Sequence, residues 1–385
     1  MKILYITTGI RKNSFEFAVL EELKKNGHEI TIISTDMDTY TGERTKKQTI
    51  EYQPISIDRF SAYILHYNLP MTLGGYCKNA SKLAKSIIEK FDIVHIANWY
   101  YHPAIVFAKI SNKKGIPFII SAYATLQKEN RNERKIFKWI YDNIYTKRLI
   151  PKASGMHSVG SLETKTYVEL GAKLENIFEI NPSISKRHFI RKSQSKIFSK
   201  LGLKKENSSY LLFLGRIVKR KRIELILNAF SKVCEKNKKT ILVIAGSGTE
   251  SYENELKQLT KSLEIEENVI FAGLVLGDEK LDLLESARIL VHTAKGDIHS
   301  LAIEEALTMK IPVVVTDCDM PEIEKYKAGK IVEPEIDSLS NAILELINDD
   351  KKHAIMSNNA KQLVDTEYLV EKQVKKYEEM YNKVV

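Results

Sequence analysis

An alternation between two hydrophobic periods limits this chain more than any other feature. Ile3 to Thr7 is a short apolar run rich in β-branched residues, and Phe15 to Asn26 carries its apolar residues at helical spacing. Ile30 to Ser34 is again a run, entered through the turn Asn26-Gly27-His28. Strand, helix and strand in that order make a βαβ unit, whose crossover helix forces the strands to run parallel. Further strands are expected at Ile93 to Ile96, Phe118 to Ser121 and Met156 to Val159.

From about Ser185 to Ser209 the apolar period gives way to Lys, Ser and Asn, the mark of a connector. The alternation then resumes, with strands expected at Tyr210 to Leu214, Ile241 to Ala245, Val269 to Ala272, Ile289 to His292, Pro312 to Thr316 and Lys330 to Val332. The pattern predicts an α/β protein of two Rossmann-like domains, residues 1–188 and 189–365, with parallel sheets facing across a cleft and ligands at the strand carboxyl ends. A last helix, about 366–385, is apolar at Tyr368, Val374, Tyr377 and Tyr381 and closes no βα unit of its own, so it is expected to pack back on the first domain.

The 385 residues, 43% hydrophobic and 28% charged, suffice for two ordinary cores. Cys77, Cys234 and Cys318 are far apart and form no CxxC pair, which argues against a disulfide framework or zinc site and fits a reducing cytoplasm. MKILYITTG turns polar after Ile6, too early for a signal-peptide core, and no apolar stretch nears the roughly 18–20 residues of a spanning helix. The net charge of +10 lies wholly in residues 1–190, with 28 basic and 18 acidic side chains; residues 101–150 alone hold 10 and 3. That concentration implies an anionic surface or substrate, and with no recognised nucleic-acid reading motif a nucleic acid is not the expected partner.

The richest stretch is G-D-I-H-S-L-A-I-E-E-A-L-T-M-K-I-P-V-V-V, Gly296 to Val315. A helix is expected to start near Ile298 with Asp297 as N-cap and to end before Ile311-Pro312. The amides of Ile298, His299, Ser300 and Leu301 would then stand free at the positive end of the helix dipole, which attracts a diphosphate. Glu305 has Leu301, Ala302 and Met309 as helical neighbours, so its carboxylate lies against packed surface and needs a partner. Glu304 lines up with Ser300 and Thr308 on what reads as an ordinary polar face. On one helix Asp297 and Glu305 would be separated by about 12 Å of rise and could address one elongated ligand.

Two further motifs follow strands. In F-L-G-R-I-V-K-R-K-R, Phe213 to Arg222, Gly215 ends a strand and Arg216 and Lys221 project from the next loop. In A-G-S-G, Ala245 to Gly248, Gly246 and Gly248 suit a tight turn or close backbone approach by a ligand. Asp317 and Asp319 in T-D-C-D suit capping better than metal binding.

In this register the sequence resembles the retaining glycosyltransferases of family 4, whose hallmark is an acidic residue, seven residues, Glu-Ala and a strand of the type PVV. Asp297, Glu305-Ala306 and Pro312-Val313-Val314 match it. The resemblance implies the two-domain GT-B fold and sugar transfer from a nucleoside-diphosphate sugar to an acceptor hydroxyl with retention, without cofactor or metal. It implies contact with the donor sugar for Asp297, with the ribose for Glu305, and neutralisation of the leaving diphosphate by Arg216 and Lys221. Gly9, Gly215, Gly246, Gly248 and the segment Ile298 to Leu301 are placed on the donor side.

The likeness covers residues 205 to 345 well and the first half loosely, through Asp92 to Asn98 and Asn26 to Glu29. The chain departs from the family where Asp297 replaces the usual Glu, Ile298-His299-Ser300 the usual Gly-Phe-Gly, and Arg222 a usual Gly. Gly9 to Ser14 replaces a Gly-rich loop, Tyr123-Ala124 lies near the usual His-Gly, and Asn181-Pro182-Ser183 near the usual Pro-Asn-Gly.

Between Lys128 and Lys152, Arg131, Arg134, Lys135 and Lys138 interleave with Ile136, Phe137, Trp139, Ile140 and Ile144. Such a basic amphipathic stretch can rest on the inner, anionic face of a membrane, where a lipid-linked acceptor is found. Trp99, in the aromatic loop Asn98 to His102, and Tyr123 are candidates for contact with an acceptor sugar or lipid. The reading is thus a cytoplasmic, peripherally membrane-bound enzyme of glycolipid, glycan or surface polysaccharide assembly. A nucleotide-sugar epimerase or hydrolase of similar fold, or a non-catalytic nucleotide-sugar binding subunit, would use the same cleft.

Overall fold

A computed structural model of the chain describes residues 1–9, 14–37, 44, 54–57, 60–69, 75–127, 135–193, 195–203 and 210–385. The first half supplies strands β1 (Lys2–Thr7), β2 (Glu29–Thr35), β3 (Pro54–Ile57), β4 (Phe60–Leu65), β5 (Ile93–Ala97), β6 (Phe118–Ser121), β7 (Gly155–Ser158) and β8 (Ile177–Glu179). They form one sheet in the order β3-β4-β2-β1-β5-β6-β7-β8, parallel throughout except where β3 pairs with β4. The second half supplies β9 (Tyr210–Leu214), β10 (Leu242–Ala245), β11 (Val269–Gly273), β12 (Ala287–His292), β13 (Val313–Val315) and β14 (Gly329–Ile331), in the order β11-β10-β9-β12-β13-β14 and all parallel.

Both sheets are covered on both faces, which is why their strands read as unbroken apolar runs. Successive side chains of a strand point to opposite faces, so Leu4 and Ile6 join one core of the first sheet while Ile3 and Tyr5 join the other. In the second sheet Leu212 and Leu290 belong to one core, Leu211 and Ile289 to the other. The strands beyond the expected set are β3, β4 and β8, which lie at or next to the edges of the first sheet. β4, S-A-Y-I-L after Phe60, mixes exposed and buried positions and carries too short an apolar run to stand out.

The chain divides into residues Met1–Ser183 with Val370–Val385, and residues Ile184–Leu369. The two crossing points pair with each other: Ile184 and Leu369 form a parallel bridge, and the Ile184 amide donates to the Tyr368 carbonyl at 2.8 Å. The connector is ordered where described, with Ile197 and Phe198 buried in a short helix, so it belongs to the second unit. The tail helix Val370–Val384 packs against the helix Phe15–Lys25 and places Val374, Tyr377 and Tyr381 in the first unit's core.

His95 and His157 sit in that unit as links of a buried hydrogen-bond chain. His157 Nε2 must donate to the Ile180 carbonyl at 2.8 Å, so its Nδ1 accepts from Ser121 at 2.7 Å. Ser121 in turn accepts from His95 Nε2 at 2.6 Å, and His95 Nδ1 accepts from Tyr381 at 2.6 Å. Every link is satisfied with both imidazoles neutral. Burial holds His95 well below its ordinary pKa and pushes His157 down to about 4, a hydrogen bond to Ile180 opposing the latter. Because the unfolded chain takes up these protons first, the stabilisation is complete above about pH 6.5 and is lost as pH falls toward 4. His157 alone should cost about 2 kcal/mol at pH 5. Urea unfolding at neutral and acid pH should show this loss, and His157→Gln should show less of it.

Candidate active site at the carboxyl ends of the second sheet

The second sheet reverses its direction of growth between β9 and β12, the position at which open α/β sheets hold ligands. The loops after these two strands carry most of the expected donor residues. The loop after β9 runs from Gly215 through a single tight turn, Lys219–Lys221, to Arg222 in a left-handed conformation, φ +47°. The family's usual glycine at 222 is thereby explained, since left-handed backbone favours Gly. Here the strain is offset by the Arg222 guanidinium, which donates to the Thr293 carbonyl at 2.7 Å and the Thr316 hydroxyl at 3.0 Å and pairs with Asp317.

The basic run separates into assigned charges. Lys219 pairs with Glu255 and Glu224, Arg222 with Asp317, and both Arg220 and Lys221 with Asp297, the Lys221 ammonium at 2.6 Å. Arg216 is exposed and, among the described residues, has no partner for its guanidinium.

Asp297 is the centre of this cluster. His292 Nε2 donates to it at 2.8 Å, so Asp297 receives three donors, two from the loop after β9 and one from the end of β12. Burial would raise its pKa, but the His292 hydrogen bond and the charges of Lys221 and Arg220 outweigh that and hold it well below the usual carboxylate range. Burial lowers the Lys221 pKa, Asp297 opposing it, and burial likewise lowers His292. Sequence reading missed His292 and Arg220. The available signal was a polar residue closing the apolar strand I-L-V-H at its carboxyl end.

The helix begins later than expected. It spans Leu301–Thr308 with Ser300 as a cap that makes no side-chain bond, so Asp297 is not an N-cap. Asp297 forms a parallel bridge with Cys318, and its carbonyl accepts from the Asp319 amide at 3.3 Å; this tie to the loop after β13 keeps residue 297 out of the helix. Leu301 and Ala302 therefore supply the free leading amides, not Ile298 and His299. The end falls as expected, with Lys310 left-handed at φ +62° and the Ile311 amide bonded to the Ala306 carbonyl at 2.9 Å.

Glu305 faces the rim of this helix, 23% exposed, and pairs with Lys280 of the helix Gly277–Ser286 at 2.6 Å. Glu304 is not on a polar face: it is fully buried and contacts His299. Starting the helix at Leu301 turns Ile303, Glu304 and Leu307 inward together.

At Gly246 and Gly248 the close approach is between loops of the protein itself. A Cβ on Gly246 would lie 1.8 Å from the Gly215 carbonyl oxygen, and one on Gly248 2.1 Å from that of Ile217. These glycines let two loops of the protein touch, and the Gly248 amide is taken by Glu253 at 2.7 Å.

In the first unit Gly9 follows β1 and its carbonyl accepts from Thr7 Oγ1 at 3.4 Å. The aromatic loop turns inward: Trp99 is buried with its indole donating to Thr146 at 2.9 Å, so it presents no surface to an acceptor. The Tyr123 hydroxyl lies 3.4 Å from that of Tyr5, which donates to buried Glu16 at 2.9 Å, so its polar end also points inward. Lys138 lies over the Tyr100 ring at 5.3 Å. Trp139 is 66% exposed, while Arg131, Arg134 and the Lys135 side chain fall outside the described residues.

Known proteins share this fold and its two sequence halves. The family described as Glycosyltransferase Family 4 matches residues 17–185, and that described as Glycosyl transferases group 1 matches residues 194–363. An uncharacterized glycosyltransferase of Methanocaldococcus jannaschii is 25% identical over 90% of this chain and 88% of its own. N-acetyl-alpha-D-glucosaminyl L-malate synthase of Bacillus anthracis is 23% identical over 95% of this chain and 92% of its own. The structure of Anabaena HepE in complex with UDP shares the fold, with a TM-score of 0.73 at 18% identity over 99% of this chain and 100% of that one. One family matches each sheet, and the acidic pair stands in register on the loop and helix after β12, so the chain is an enzyme of the GT-B fold and belongs to the family 4 glycosyltransferases.

Proposed function

We propose that this enzyme moves a sugar from a nucleoside-diphosphate sugar to an acceptor hydroxyl, with retention and without a bound metal. The observation that carries the reading is Arg216, without a partner among the described residues, beside the Arg220–Lys221–Asp297–His292 cluster at the switch point of the second sheet. Departure of a nucleoside diphosphate builds negative charge, and fixed cations with the leading amides of Leu301 and Ala302 stabilise it without reorganisation. Asp297 is then the group for the donor sugar and Glu305 the group for the ribose. HepE, the fold relative, was solved with UDP and with UDP-glucose. A thermal-shift screen against UDP, GDP, ADP and their common sugars tests the reading. At a hundredfold excess over Kd a donor stabilises by about 2.7 kcal/mol, a rise of several degrees. No shift from any of them contradicts it.

The acceptor side of the reading is a glycan or lipid-linked sugar at an anionic membrane surface. No helix among the described residues is long and apolar enough to cross a membrane. Ile136, Trp139, Ile140 and Ile144, spaced three, four and eight residues from the first, are all exposed, Ile136 at 77%. Four large apolar side chains on one helical face within the most basic part of the chain suit the headgroup boundary of an anionic bilayer. The protein should co-sediment with vesicles containing phosphatidylglycerol and not with neutral ones. Trp139→Glu with Ile140→Glu should abolish this while leaving the melting temperature within a degree or two.

A further inference from the structure

Behind the loop that carries Asp297 lies a second charged pair, which sugar transfer as described does not use. His299 and Glu304 are 4% and 0% exposed, and His299 Nδ1 is 2.5 Å from Glu304 Oε1. His299 precedes the cap Ser300, and Glu304 belongs to the first turn of the helix, so the pair spans the junction at which loop becomes helix. The His299 ring stands edge-on to Tyr368, centroids 5.4 Å apart. None of the four side-chain polar atoms of His299 and Glu304, nor the Tyr368 hydroxyl, makes a hydrogen bond among the described residues, so the Nδ1–Oε1 approach is an ion-pair contact. Buried groups left this way are costly, and an apolar pair of similar volume would avoid the cost. The charged groups near the pair are Glu305 on the same helix, itself paired with Lys280, and Glu322 on the helix Glu322–Lys325. Tyr368, with Cys318 close to it, completes the titratable surroundings. Burial raises the Glu304 pKa, and His299 opposes the rise.

We propose that His299 and Glu304 form a proton-holding latch that positions the turn from Ile298 to Leu301, so that a diphosphate binding at this helix start is coupled to proton uptake by the pair. The proposal rests on the donor reading above. With one proton held by the pair its net charge is zero; without it a net negative charge remains buried behind an anion site. An arriving anion therefore favours the protonated pair. By reciprocity, anion affinity falls as pH rises through the range in which the pair gives up its proton.

Calorimetric titration with inorganic pyrophosphate, in buffers of different ionisation heat, tests this without a choice of base or sugar. The wild type should take up a fraction of a proton on binding. Over the pH range in which the wild type's proton uptake falls away, its affinity should fall about tenfold relative to the H299F/E304L double variant, whose apolar pair reports the pyrophosphate's own ionisation. E304Q, which keeps a polar partner for His299 without the charge, should bind pyrophosphate yet lose the proton uptake. Equal uptake in the wild type and both variants overturns the latch and leaves the donor reading standing. Failure of pyrophosphate to bind the wild type also overturns the latch; whether the donor reading falls with it is read separately from the nucleotide melting screen.

Discussion

Asp297→Asn is expected to lower sugar transfer by at least about a hundredfold and to lower the melting temperature. The carboxylate accepts from Lys221, Arg220 and His292, and both it and Lys221 are largely buried. An amide cannot balance two cations, so the substitution leaves buried positive charge uncompensated, which typically costs about 3–5 kcal/mol. It also removes the anion that sets the place of Lys221, the cation assigned to the leaving diphosphate. Asp297→Glu, the family's usual residue, should keep the charge and recover most of the stability. Initial rates with the donor chosen by the melting screen, beside urea unfolding of each variant, check both halves. Full activity in a stable Asp297→Asn protein would remove Asp297 from the donor site.

Gly246→Ala should be among the most damaging single-methyl changes in the chain. Its Cβ would stand 1.8 Å from the Gly215 carbonyl oxygen, and backbone cannot give way as a flexible side chain can. Gly246 also takes φ +150°, and its amide donates to the Gly273 carbonyl at 2.8 Å, so its place is fixed from two sides. The expected loss exceeds about 4 kcal/mol, enough to prevent accumulation of folded protein. Gly115→Ala is the control: φ is +70°, but nothing lies within 4 Å of the added carbon, so only the left-handed strain of about 1 kcal/mol applies. Equal midpoints for the two variants in urea would refute the loop-to-loop contact.

The elements that were legible in the sequence are those whose cause is local. β9 is Tyr210 to Leu214 in both sequence and structure, because a parallel strand covered on both faces is a run of apolar residues and nothing else. The start of the donor helix was not legible, since Asp297 is kept out of it by Cys318, a partner twenty-one residues on whose pairing leaves no local trace. The roles of Glu304 and Glu305 depend on that start, because an offset of a few residues rotates a helix and exchanges its faces. Trp99 read as a ligand contact because an aromatic loop after a strand suits either use. Only the Thr146 hydroxyl, forty-seven residues away, decides that it packs inward. Within the run Lys219 to Arg222 the sequence assigned a charge role to Lys221 alone, whereas the structure gives each of the four an acidic partner.

Arg216 has no acid to answer it among the described residues, and it offers the most direct test of the account. Its guanidinium is exposed, so Arg216→Ala should unfold with the wild-type midpoint in urea. Titration calorimetry with the nucleoside diphosphate that stabilises the wild type should show affinity for Arg216→Ala reduced tenfold or more, by roughly 1.5–3 kcal/mol for a lost charge-assisted contact. Unchanged affinity in a folded Arg216→Ala protein would contradict a diphosphate site at the switch point of the second sheet.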